Sequence, residues 1–111
     1  MDIESGKVGD IVIITPRGRF DTNNAPQAEK LVLDSIVAGE KRMIFNFEGT
    51  DYISSAGLRV ILQAAKLVRK NGRVVLCNAN EQIREVLEIS GFLDMITYCK
   101  NLREARKSAA E

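Results

Sequence analysis

Short apolar runs that alternate with stretches of helical spacing constrain this chain more than any other feature. Ile11-Val12-Ile13-Ile14 is a continuous β-branched run and reads as a strand buried on both faces. Met43 to Phe47, Arg73 to Cys77 and Met95 to Tyr98 read as three more strands. Between them, Ala28, Leu31, Val32, Ser35 and Ile36 follow helical spacing, as do Leu58, Ile61, Leu62, Ala65 and Val68. Ile83, Val86 and Leu87 mark a shorter helix and Leu102, Ala105 and Ala109 a final one. This alternation predicts an α/β domain over residues 1–111, with one mixed, mostly parallel sheet of four to five strands and about four helices. Met1 to Ser5 can add an edge strand.

The punctuation agrees with that division. Pro16 and Gly18 break or bend the first strand. Asn24, with Pro26 in the first turn and Gln27 three residues on, reads as a capped helix start, and Asn80 reads as another. Gly39, Asn71-Gly72 and Gly91 close helices. Glu48 to Ile53 reads as a loop.

Composition removes several function classes. The 111 residues, 45% apolar and 28% charged, suffice for one ordinary core and exclude bulk disorder. Sixteen Lys plus Arg against 15 Asp plus Glu give a net charge of +1, without the basic surplus of a nucleic-acid binder. There is no histidine, which removes Ser-His-Asp and Cys-His catalysis. Cys77 and Cys99 are too few for a zinc cage and read as reduced structural thiols, so no metal site is expected. No G-x-x-x-x-G-K-[ST] loop is present, and the carboxylates are scattered, so no catalytic residue and no cofactor is expected. The N-terminus lacks a signal-peptide profile, and the aliphatic runs fall far short of the ~20 residues that span a bilayer. A cytoplasmic domain without membrane contact is the expectation.

Asp51-Tyr52-Ile53-Ser54-Ser55-Ala56-Gly57-Leu58-Arg59 is the most informative stretch. Two hydroxyls stand where a loop becomes an amphipathic helix. One serine is needed there to satisfy free amide donors. The same helix start tolerates an anion, and a phosphoserine would bring about −1.5 to −2 charges to it. Gly57 leaves the backbone open to close approach by another molecule. Arg59, Gln63 and Lys66 should lie on the solvated face, and Leu58, Ile61 and Leu62 in the core. Upstream, Asp21 is placed to organise a turn through bonds to the Thr22 or Asn23 amide.

Ile53 to Leu58, preceded by Asp51-Tyr52, resembles the phosphorylation segment of bacterial anti-sigma factor antagonists, stand-alone members of the STAS domain family (sulphate transporter and anti-sigma factor antagonist). Gly18-Arg19-Phe20-Asp21, Asn71 to Leu76 and Leu87 to Leu93 resemble three further family segments in the family's order, so the resemblance covers almost the whole chain. It implies a partner switch. The unphosphorylated domain would bind an anti-sigma factor serine kinase of histidine-kinase-like ATPase fold and free its sigma factor. Serine phosphorylation would part the two, and a PP2C-type phosphatase would restore binding. By position the phosphoacceptor is Ser55, with Ser54 as second choice. Against the frequent Asp-Ser-Ser/Thr-Gly-Leu pattern, Ser54 replaces the Asp and Ala56 the second hydroxyl residue. Asp21, Thr22, Asn23, Ser54, Ala56, Gly57 and Arg59 are the implied surroundings and partner contacts. For Asp21 the resemblance adds a role in orienting the serine hydroxyl or meeting the partner. No direct nucleic-acid contact is implied, and the free domain is expected to be a monomer. The alternative is a non-catalytic STAS scaffold in a lipid-transport or non-sigma assembly.

Overall fold

The computed structural model describes residues 3–111. In chain order the elements are β1 (Ile3–Val8), β2 (Ile11–Pro16), β3 (Gly18–Phe20), α1 (Ala25–Val37), β4 (Arg42–Asn46), β5 (Thr50–Ile53), α2 (Ser55–Val68), β6 (Arg73–Cys77), α3 (Glu81–Ile89), α4 (Phe92–Met95), β7 (Thr97–Cys99) and α5 (Leu102–Ala110). Five strands form the main sheet in the order β1-β2-β4-β6-β7, antiparallel at β1–β2 and parallel elsewhere.

The β-branched run of β2 is buried on both faces because helices cover both sides of the sheet. Successive strand side chains point to opposite faces. Val12, Ile14, Met43, Phe45, Val74 and Leu76 therefore meet α1, α2 and α3. Ile11, Ile44, Val75 and Cys77 meet Ala105 and Ala109 of α5. On α2, Val60, Ile61, Ala64 and Val68 are buried, while Leu58 and Leu62 pack against the core half-exposed.

Several expectations need correction. Residues 50–53 are strand β5, paired in parallel with β3 as a separate two-stranded sheet. Thr-Asp-Tyr-Ile suits extended backbone, and Thr50 Oγ1 donates to the Pro16 carbonyl at 2.6 Å. The fourth expected strand starts two residues late. The left-handed Gly91 (φ +80°) turns the chain into α4, which buries Phe92 and leaves Met95 exposed, so the strand begins at Thr97. This short helix brings the helices among the described residues to five. The expected edge strand exists from Ile3 and runs on to Val8, whereas Met1 and Asp2 lie outside the described residues.

One tight spot lies where α2 returns to the sheet. Gly72 sits so close to the loop before β4 that a Cβ would fall on the Lys41 carbonyl. Arg73 N donates to that same carbonyl at 2.9 Å, at the mouth of the β4–β6 ladder. Cys77 and Cys99 face each other in register across β6–β7, both as free thiols.

Burial pushes the Cys77 thiol from its ordinary value near 9.0 up to about 12. The unfolded chain ionises this group first, so its contribution to stability is whole below about pH 9 and is lost as pH rises toward 12. The slope approaches about 1.4 kcal/mol per pH unit. In urea titrations at rising alkaline pH, the stability gap between wild type and Cys77→Ala should narrow, because only wild type carries the buried thiol. A constant gap would contradict this account.

Candidate functional site

The site is built where the chain leaves the main sheet twice, side by side. β2 breaks after Pro16 and resumes as β3, and β4 resumes as β5 after Phe47-Glu48-Gly49. Gly18 N donates to Gly49 O at 2.8 Å, and the register then sets Arg19 beside Tyr52 and Phe20 beside Ile53. The two strands end together, so the turn that opens α1 and the first turn of α2 come to one edge. Ser54 N donates to Phe20 O at 3.0 Å, closing that edge.

The two serines have different positions. Ser54 is the N-cap of α2, in extended conformation, and its Oγ accepts from Ala56 N at 3.2 Å and Gly57 N at 3.4 Å. Ser55 is the first helical residue and is exposed. The first turn of α2 contains no acidic residue, and Arg59 stands exposed one turn on. An anion at residue 55 would thus meet the positive end of the helix dipole with no carboxylate in that turn.

Gly57 corrects a further expectation. It is buried, and a Cβ there would lie 2.9 Å from Phe20 O and 3.0 Å from Ile53 Cγ1. The close approach this glycine permits is to the chain's own β3, not to another molecule.

Asp21 organises the facing turn. Its Oδ1 accepts from Asn23 N at 3.0 Å and its Oδ2 from Arg19 Nε at 3.2 Å; neither partner is a serine. The Arg19 guanidinium also lies over the Tyr52 ring, 4.2 Å from its centroid. Asn24, expected as a side-chain cap, does different work. It is buried, its Oδ1 accepts from Asp21 N at 2.9 Å, and its Nδ2 donates to Arg19 O at 2.8 Å, so it locks the turn, while Ala25 N at the start of α1 donates to the Asp21 carbonyl and Pro26 follows in the first turn.

Between the two helix starts lies a hollow of about 240 Å³ that brings together Thr22, Ala56 and Arg59 of the expected residues. Glu29 and Gln63 also line it. Asp21 and Asn23 stay in the turn above, and Ser54 and Gly57 are spent on the helix start. Arg19 and Tyr52 escaped the sequence reading because they become neighbours only once β3 and β5 pair. Asn80 shows the same limit. Its Oδ1 caps α3 as expected, accepting from Ile83 N at 2.8 Å, but its Nδ2 also reaches Thr50 O at 3.3 Å and Asp51 O at 3.2 Å, tying α3 to β5.

The capping geometry separates the serines in a stability measurement. Ser54→Ala should cost about 1 kcal/mol, since it strips the cap. Ser55→Ala should change stability by less than about 0.5 kcal/mol, as an exposed substitution off the cap. Denaturant midpoints of the two variants decide it, and equal losses would mean that the cap is shared.

The STAS domain profile matches residues 2–105. BtrV of Bordetella bronchiseptica, which carries the name of an anti-sigma factor antagonist, is 39% identical over 110 residues, covering 98% of this chain and 94% of that protein. A Thermotoga maritima crystal structure described under the same function name matches with a TM-score of 0.91 at 22% identity, over 98% of this chain and 95% of the other. SpoIIAA in its unphosphorylated form matches with a TM-score of 0.80 at 21% identity, over 97% and 96% of the two chains. The phosphorylated form of Bacillus SpoIIAA matches at 0.77 with 23% identity, over 96% and 97%. At these identities the structural likeness establishes the fold.

Proposed function

The chain belongs to the STAS domain family, and from that premise we propose that it is an anti-sigma factor antagonist whose binding is switched off by phosphorylation of Ser55. The observation that carries this reading is the division of labour between the serines. Ser54 Oγ caps α2, so Ser55 stands exposed at the first helical position and can be modified without loss of the cap. The name carried by BtrV supports the antagonist role, and SpoIIAA, which is described in an unphosphorylated and a phosphorylated form, shares this fold.

In this reading the partner is an anti-sigma factor serine kinase of histidine-kinase-like fold. It docks over the start of α2, the hollow at Thr22, Ala56 and Arg59, and the Asp21–Asn23 turn. It transfers the γ-phosphoryl group of ATP to Ser55 Oγ, with loss of the hydroxyl proton and release of ADP. The new dianion occupies the helix start, where it changes the docking face far more than the backbone beneath it. A PP2C-type phosphatase hydrolyses the ester and restores the binding form. The domain is thus substrate and ligand, and the catalysis belongs to its partners.

Intact-mass spectrometry after incubation with ATP and native cell extract tests the assignment, with Ser55→Ala alongside. Wild type should gain one phosphate and the variant none. A gain in both would move the site, with Ser54 next to be tested. No gain with a demonstrably active extract would overturn the switch and favour a phosphorylation-independent scaffold.

A further inference from the structure

The second face of the sheet carries a single helix, and the groove beside it is lined by cations. α5 lies chiefly over β4 and β6. Between α5 and the β1–β2 hairpin runs a groove of about 720 Å³, whose lining includes apolar Val8, Ile11 and Leu102 and basic Arg103, Arg106 and Lys107. The three basic residues are exposed, and the ion pairs found among the described residues leave all three out. The acid in the groove, Asp10, lies 3.6 Å from Arg42. Arg103 stands three and four residues before Arg106 and Lys107, so like charges are neighbours on one helix face, an arrangement that costs the helix a few tenths of a kcal/mol per pair.

We propose that this groove docks an acidic segment of a partner polypeptide, with carboxylates on Arg103, Arg106 and Lys107 and apolar side chains against Val8, Ile11 and Leu102. The mixed lining favours a polypeptide over a nucleic acid. An alternation of acidic and apolar side chains matches both halves of the groove, whereas a polyphosphate would use the cations alone. The groove lies on the face of the sheet opposite α1 and α2, so it can be occupied while Ser55 faces its own partner. The inference does not depend on the switch.

The test is fluorescence anisotropy of the full chain with a labelled peptide of alternating Glu and Leu, compared with the same peptide carrying Gln for Glu. The Glu peptide should bind and the Gln peptide should bind at least about tenfold more weakly. Raising the salt from about 50 to about 300 mM should weaken the Glu peptide severalfold. The triple variant R103Q/R106Q/K107Q should lose at least about tenfold, while K66Q/K70Q, in and just beyond the last turn of α2, should bind as wild type does. Gln keeps helix propensity, so far-UV circular dichroism should be unchanged. No binding of the Glu peptide, equal binding by the triple variant, or stronger binding to inorganic triphosphate or phosphatidylserine vesicles would each overturn the proposal.

Discussion

Gly72→Ala should lose about 3 kcal/mol or more of stability, enough to leave a large share of molecules unfolded if the parent is as marginal as most domains. The added methyl group would fall on the Lys41 carbonyl, which is backbone and already accepts from Arg73 N. It cannot swing aside as a side chain could. Relief requires α2's exit and the loop before β4 to separate, and the first pair to part is Arg42–Arg73, where the β4–β6 ladder begins. Gly49→Ala is the control. There a Cβ would come within 2.9 Å of Arg17 Nη1, the far end of a flexible side chain, and the change should stay within about 0.5 kcal/mol. Urea midpoints of both variants measure the contrast, and a Gly72→Ala protein within about 1 kcal/mol of wild type would refute the packing argument.

Under the proposed switch, Ser55→Asp should weaken binding to the purified anti-sigma factor partner by about two orders of magnitude, while Ser55→Ala binds as wild type does. A carboxylate at this position must be desolvated when the docking face is covered, and like-charge or unpaired groups in such a face cost several kcal/mol. Ser55→Asn separates shape from charge, since its side chain has nearly the size of Asp and none of its charge. Calorimetric titration of the three variants decides the matter. Asp binding as tightly as Ala would sink the electrostatic account, and Asn binding as weakly as Asp would assign the effect to bulk.

The fold was legible wherever apolar spacing is locally determined. The runs at residues 11–14 and 73–77 and the α2 stripe need no distant partner to declare themselves, and neither do the caps at Ser54 and Asn80. Two of the readings that failed depend on contacts far apart in sequence. β5 was hidden because Thr50 to Ile53 has only four residues and its identity as a strand rests on β3, some thirty positions earlier. Gly57 was read as an opening to other molecules because nothing in its neighbourhood reveals that Phe20 fills the space. Asn24 looked like a cap because the residue type favours caps, yet the Arg19 carbonyl and the Asp21 amide compete for the same side chain and win.

The separation of β3–β5 from the main sheet has a consequence for how the serine can be presented. The tip is fastened by its own short ladder, by Thr50 Oγ1 on Pro16 O and by Asn80 Nδ2 on the Thr50 and Asp51 carbonyls. None of these bonds belongs to the β2–β4 or β4–β6 ladders. Phe20 and Ile53 of the tip nevertheless lie in the same buried cluster as Ile14 and Phe45, so the tip cannot open without exposing part of the main core. In the proposed switch, an enzyme acting on residue 55 would therefore meet a serine held on a fixed helix start, not one carried by a loop that opens on its own.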